Sequence, residues 1–462
     1  MLKVKFIFVA YNRMSQGIRD YEVIKHIGKG SFSNVYLCRN EIPLHIGNME
    51  SDEEFFIIKE ININELVKSY MIRRTGGSTV RRVNKNKNET GDIQVNITPY
   101  KNESELVNTE QDYYFQRLQE LIESEIEILS VLDHPNIIKY YGHTKDNGIY
   151  YLRMEYCNGG DVYDFLKSQT SERFRNSSGG FTNSFLYEFL NQTINGLKYI
   201  HDKNIIHRDI KLHNVLIKHT HQGIEFKISD FGFACYDLCG MNNKDIDWDD
   251  ILCKKYYKLC GTPYYMAPEI ILNMNKMENI TMYKQQTRKS NVLIYNKRID
   301  IWSLGICIYE LMFNLLPFSN IKNINDLERF YKLENIQDIM NKKITRRIGL
   351  RDDFKTIMYK MMTVDKNERC SVNEIYNFLQ ETRCVIDLVN DADVSANVMD
   401  VINCRENTYI KNEDMKRDIV TNPVKEEYGQ FDLSWEKINK SSSIIMKMSV
   451  QKGFLNWLFN KK

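Results

Sequence analysis

The chain has 462 residues, 42% of them hydrophobic and 27% charged, with a net charge of +2 at pH 7. That length allows several domain-sized units and a large buried core, and the near-neutral balance excludes a whole-protein field that would draw it to nucleic acid or an anionic membrane. Its ten cysteines form no compact framework, the apolar run Phe6 to Ala10 is too short for a secretory leader, and no run of about 20 apolar residues is present to span a membrane; together these predict reduced thiols in the cytoplasm.

Residues 1–20 read as an N-terminal extension, followed by a strand-rich stretch from Tyr21 to Glu60. Within it, Gly28-Lys29-Gly30-Ser31-Phe32-Ser33-Asn34-Val35 has the G-x-G spacing that lets a hairpin backbone approach phosphate oxygens. An ordinary Gly-rich turn has the same look. Phe56-Ile57-Ile58-Lys59 ends an apolar run in a lysine, and a buried ammonium needs a counter-charge. Residues of about 68–112 are rich in Asn, Lys, Glu and Thr, show no apolar periodicity and read as a mobile insertion. Its Arg73, Arg74, Arg81, Arg82, Lys85 and Lys87 offer charge to an acidic partner or RNA, although a solvated segment is the plainer reading and no nucleic-acid partner is expected.

A helix follows, with Leu118, Leu121, Ile122, Ile128, Leu129 and Leu132 on one face. Glu125 falls within that apolar face and is the expected partner of Lys59, while Glu127 faces outward. The other reading of Glu125 is a half-exposed carboxylate at the edge of the stripe. Leu186, Leu190, Ile194 and Leu197 mark a second amphipathic helix, which leads into His207-Arg208-Asp209-Ile210-Lys211-Leu212-His213-Asn214. Asp209 is suited to orient a substrate hydroxyl and accept its proton, Lys211 to steady a phosphoryl group, and Asn214 to reach a metal. Asp230-Phe231-Gly232 supplies a carboxylate for a hard cation, and Gly261-Thr262-Pro263 through Ala267-Pro268-Glu269 closes the segment.

In this order the motifs resemble the eukaryotic protein kinase family over residues 21 to 380, with insertions at about 68–112 and 273–290 and a C-terminal tail at 381–462. The resemblance implies a bilobal α+β fold: a small β-rich lobe with a five-stranded sheet and one regulatory helix, and a larger, mainly helical lobe. It implies ATP with Mg²⁺, or Mn²⁺ in its place, bound between them. Ile27, Gly28, Gly30 and Val35, Lys59, the hinge residues Met154, Glu155 and Cys157, then Asp161 and Leu216 would hold the nucleotide. Asn214 and Asp230 would hold the metal; Asp209, Lys211, Lys59 and Glu125 would carry the chemistry. Asp300 would brace the catalytic loop, and Arg369 would pair with Glu269. Lys211 and Gly261-Thr262-Pro263 resemble the serine/threonine branch, with Thr262 a contact to Asp209 and Lys211. Short phrases around Asp230 and Glu269 resemble the autophagy-initiating group, with the calcium/calmodulin-type and cell-cycle groups as competitors. The expected partners are proteins with Ser or Thr acceptors. The rival reading is a pseudokinase-like scaffold, or a binding protein tethered to a membrane or partner.

Three departures carry further expectations. No Ser or Thr lies between Ser229 and Thr262; one of Asp245, Asp247, Asp249 or Asp250 could meet Arg208 in place of a phosphate, a solvated acidic loop is the plainer reading, and Tyr236, Tyr256 and Tyr257 leave a tyrosine-phosphorylation route open. Cys235, Cys239, Cys253 and Cys260 read as ordinary thiols, since their spacing fits no zinc pattern. In the tail, Ile445, Met448, Leu455, Leu458 and Phe459 can share one helical face bordered by lysines. That face suits a partner or the chain itself, with peripheral membrane contact as the lesser alternative. Asp161 and Glu310 favour a mild basic preference in the substrate at most, because His213 replaces an acid.

Overall fold

The computed structural model describes residues 21–29, 33–40, 55–74, 85–87, 93–95, 103–176, 179–237, 260–273, 296–318, 321, 323–346 and 350–388. The N-terminal part is built on a five-stranded antiparallel sheet in the order β1-β2-β3-β7-β6. Its strands are β1 (Tyr21–Lys29), β2 (Asn34–Asn40), β3 (Phe55–Asn62), β6 (Tyr140–Asp146) and β7 (Ile149–Glu155). Period-two alternation explains the sheet's two faces. Val35, Lys59 and Leu152 are register partners across three strands and so share one face. On the opposite face Tyr21, Cys38, Phe56 and Ile58 form a small core of their own, closed by the Arg153 guanidinium 3.9 Å from the centre of the Phe56 ring.

Between β3 and β6 the structure departs from the expected shapeless insertion. Helix α1 (Ile63–Arg74) follows β3 without a break, strands β4 (Lys85–Lys87) and β5 (Ile93–Val95) pair with each other, and helix α2 (Glu103–Ser130) begins well before residue 112. Ile63, Leu66, Val67 and Met71 recur at helical spacing and turn toward the main core. On α2 all the residues expected to face inward are buried, as is Leu132 just beyond it, and Glu127 is exposed.

The C-terminal part is helical. Helix α3 (Val162–Lys167) is capped by Asp161, whose Oδ1 accepts from the Asp164 amide at 2.8 Å. Helix α4 (Asn183–Asp202) starts at the Thr182 cap and buries Leu186, Leu190, Ile194 and Leu197 completely. The short strands β8 (Ile205–Ile206) and β11 (Cys235–Tyr236) pair with each other, and β9 (Val215–Thr220) with β10 (Gly223–Ile228) makes a hairpin. Helix α5 (Pro268–Ile271) leads toward α6 (Arg298–Phe313), which is mostly apolar and buried on all sides because it runs through the middle of this lobe. Around it lie α7 (Ile324–Tyr331), α8 (Ile336–Thr345), α9 (Asp352–Met361) and α10 (Val372–Leu388). The Ile138 amide donates to the Ile228 carbonyl and the Ile228 amide to the Asn136 carbonyl, each at 2.9 Å, which joins the two parts near the cleft. No helix among the described residues is long and apolar enough to cross a membrane. The N-terminal extension, Gly30, the four loop aspartates, Cys239 and Cys253, most of the 273–290 insertion and the amphipathic tail lie outside the described residues.

Candidate active site

The site forms where the sheet faces the loops of the helical lobe. From above, β3 delivers Lys59 and α2 delivers Glu125; their side chains meet at 2.7 Å, with Lys59 15% and Glu125 7% exposed. Lys59 Nζ also lies 3.4 Å from Asp230 Oδ1. Burial by itself would depress the lysine's pKa, but Glu125 first and Asp230 second hold it above its ordinary value. Asp230 answers in kind: burial opposes its charge, and Lys59, Lys211 and His207 more than offset that, so its carboxyl titrates below the usual range. Asp230 takes a left-handed backbone, φ 61°, a conformation that costs energy in a non-glycine residue and is kept where the fold over-determines it.

From below comes the loop between β8 and β9. Asp209 is 3% exposed. Its Oδ1 accepts from Thr262 Oγ1 at 2.9 Å, and its Oδ2 from Lys211 Nζ at 2.6 Å and Asn214 Nδ2 at 3.0 Å. Lys211 also donates to Thr262 Oγ1 at 3.0 Å, the double contact expected for that threonine. Because Asn214 spends its amide nitrogen on Asp209, its Oδ1 is left as the acceptor that could meet a cation.

The loop is braced by Asp300 on α6, which is completely buried. Its two oxygens accept from the backbone amides of His207 and Arg208, each at 2.9 Å, while His201 Nε2 lies 2.9 Å away. Burial opposes the charge on Asp300, yet the His201 hydrogen bond and charge hold its pKa down. Arg208 sits at φ 68° and donates Nε to the Phe233 carbonyl at 2.7 Å. Gly261 adopts φ 106°, and a Cβ there would come 2.6 Å from the Arg208 carbonyl; only glycine lets the loop and the Thr262 segment lie this close. Below them Arg369, fully buried, grips Glu269 through two bonds of 2.8 Å.

The residues expected to hold adenine line the same cleft in part. Gly28 pairs with Val35 across the first hairpin, beside a register shift at Ile27. Met154, Glu155 and Cys157 lie buried where β7 runs out toward α3, and Leu216 bridges Asp161. The Glu155 side chain, however, turns away to Lys218 at 2.7 Å and Lys227 at 3.3 Å. That cluster is not legible in the sequence, since Glu155 lies more than sixty residues before both lysines. Glu310 is also spoken for: it is buried and accepts from the Tyr265 hydroxyl at 2.5 Å, and burial pushes its pKa up despite that bond. His213 is exposed and stacks on Tyr163 with ring centres 4.0 Å apart.

The protein kinase domain family model matches residues 102–378, more than half of the chain. The chain is 31% identical over 258 residues to calcium-dependent protein kinase 5 of Plasmodium berghei, covering 56% of this chain and 38% of that protein. It is 26% identical over 344 residues to cAMP-dependent protein kinase type 3 of Saccharomyces cerevisiae, covering 72% and 61%. With serine/threonine-protein kinase atg1 of Dictyostelium discoideum it shares 28% over 265 residues, covering 56% and 32%. The chain thus spans less than two thirds of the length of each of these relatives. With the family match covering the catalytic loop, its brace and the Lys211–Thr262 contact, the chain belongs to the protein kinase family.

Proposed function

We propose that the chain transfers the γ-phosphoryl group of ATP to serine or threonine hydroxyls of protein substrates, with a domain that runs from about residue 21 to 380. The observation that carries this reading is the surrounding of Asp209. A carboxylate offers about four acceptor positions, and Lys211, Asn214 and Thr262 occupy three of them. The remaining one is available to a substrate hydroxyl, which Asp209 would orient and relieve of its proton as the oxygen attacks phosphorus. Lys211 would offset charge on the phosphoryl oxygens in flight. Lys59, kept cationic and aimed by Glu125, would hold the phosphates from above.

Asp230 and Asn214 present hard oxygen atoms, and the Asp230 side chain is 49% exposed; this donor set fits Mg²⁺, with Mn²⁺ as an alternative. The metal, when bound, neutralises phosphate charge. The cleft faces of Val35 and Leu216 would enclose adenine, next to the backbone of Met154, Glu155 and Cys157. Serine/threonine preference is supported by the Lys211–Thr262 contact and by the names of the relatives. With Glu310 engaged by Tyr265 and His213 on the rim, a strong demand for basic residues in the substrate is not expected.

The test is radiolabelled transfer from ATP to a generic protein substrate, followed by identification of the labelled amino acid. Label on serine or threonine is expected, with Asp209→Asn lowering kcat by about 10²–10⁴. Nucleotide binding without transfer would move the reading to a pseudokinase-like scaffold, and label on tyrosine would overturn the branch.

A further inference from the structure

Helix α1 lies against α2, the helix that carries Glu125. Its apolar stripe is inward: Ile63 is completely buried, Val67 is 7% exposed, and Leu66 and Met71 pack on the same core. Helix α2 buries Tyr114, Leu118 and Leu121 in the same core. The start of α1 is pinned at one spot. The Ile63 amide donates to the Gly148 carbonyl at 3.0 Å, and Asn64 Nδ2 donates to the Asn147 carbonyl at 2.8 Å. Both acceptors belong to the turn joining β6 and β7, where Asn147 and Gly148 have φ 48° and 78°.

The same turn touches α2. A Cβ on Gly148 would come 2.8 Å from Asn64 Nδ2 and 3.1 Å from the Phe115 ring, so the glycine, α1 and α2 meet there with no room to spare. Just beyond, Tyr150 donates its hydroxyl to Glu123 on α2 at 2.7 Å, and Lys145 lies 3.5 Å from the same carboxylate. Helix α2 therefore meets the turn at Phe115 and the flanking strands at Glu123, with α1 packed beside it, and two residues past Glu123 it presents Glu125 to Lys59.

We propose that α1, clasped by the Asn147–Gly148 turn, is a strut that seats α2 from within the chain, and that Ile63, Val67 and Gly148 are positioning residues for the Lys59–Glu125 pair. This rests on the phosphotransfer reading for its consequence but not for its geometry. A helix docked on a small lobe through a few apolar contacts can detach locally while the rest of the fold persists. Loss of the strut would then free Glu125 from Lys59 without touching Asp209 or Asn214. The phosphates would lose their upper anchor, and kcat would fall more than the affinity for the protein substrate.

The experiment compares the full chain with Val67→Asp, Gly148→Ala and the conservative Val67→Ile. The first readout is amide hydrogen exchange without nucleotide, following 115–128 in α2 against 303–312 in α6 as an internal control. It needs no catalysis. Exchange across 115–128 is expected to rise about tenfold or more in Val67→Asp and Gly148→Ala, with α6 unchanged and Val67→Ile like the parent. The second readout is phosphoryl transfer, where kcat is expected to drop in step with that exchange. Unchanged protection of 115–128 in Gly148→Ala overturns the strut, as does full kcat in a variant whose α2 has become labile. Gly148→Ala decides the matter where Val67→Asp does not accumulate as folded protein. An inactive parent with the expected exchange pattern would instead sink the phosphotransfer reading and leave the strut standing.

Discussion

The two walls of the cleft are held in opposite ways. The lower wall hangs on groups that solvent does not reach: Asp300 and Arg369 are both at 0% exposure, and each ties several backbone or side-chain partners at once. The upper wall depends on the ion pairs of Lys59, 15% exposed, with Glu125 and Asp230, and on helix α2, which packs against α1. A charge lost below strands other charges in a dry interior, so it should damage the fold. A charge lost above should damage the geometry of the reaction and leave most of the molecule standing.

Arg369→Ala is the strongest way to break that contrast. Removing one member of a buried pair leaves the other uncompensated, at a cost of about 3–5 kcal/mol. Here Glu269 would lose both of its 2.8 Å bonds, and the carbonyls of Thr363, Val364 and Arg298 would lose a donor. Denaturant unfolding should show the drop directly. A loss near 1 kcal/mol would mean that water replaces the guanidinium and that the lower wall is less rigid than described.

Asp300→Asn comes next, at about 1–3 kcal/mol, because the new amide nitrogen faces a backbone N–H that needs an acceptor. The pH dependence separates it from a packing defect. The folded carboxyl of Asp300 titrates below its ordinary value. Its contribution is therefore fully present above the unfolded pKa of about 3.9, and it fades as pH falls through the lower folded value. The stability gap between parent and variant should be widest near neutrality and should close in acid. A gap that stays constant would assign the effect to shape rather than charge.

Much of the lower wall was legible in the sequence, and much of the upper wall was not. Asp209, Lys211 and Asn214 lie in one short phrase whose members end up in contact, so local order carries that geometry, while the Thr262 contact, from a phrase some fifty residues on, came with the resemblance. Asp300 and Arg369 were found only through a resemblance, since nothing local says what they touch. The segment after Glu60 failed for a different reason. Ile63, Leu66, Val67 and Met71 do recur at helical spacing, but they straddle the point where the composition turns polar, and the polar run masked them. Glu155 reads from the sequence as a hinge residue; its bonds to Lys218 and Lys227 join residues that no periodicity could connect.

Glu125→Gln sharpens the comparison from the other side. The glutamine keeps the volume and can still accept from Lys59, so the stability cost should be about 1 kcal/mol. Lys59 would then lose the larger of the two charges that hold it cationic and in place, and kcat should fall while the unfolding midpoint hardly moves. A large stability loss here would make the two walls alike.

The smallest effect should come from Arg39→Ala. Arg39 meets Glu22 at 2.6 Å on the outer strands, a shorter contact than the Lys59–Glu125 bond, but the two side chains are 45% and 51% exposed. Water solvates both ions when they part, and holding two long side chains together costs rotamer entropy, so such pairs contribute about 0–1 kcal/mol. Neither unfolding nor phosphoryl transfer should change measurably, and added salt should make no difference to the comparison with the parent. If instead the variant loses activity, the hairpin of β1 and β2 would be positioned by its rim charges, and the upper wall would need more than the Lys59 pairs and a strut to account for it. The contrast between the walls rests on burial rather than on distance, and this pair, short and exposed, is where the two criteria disagree most.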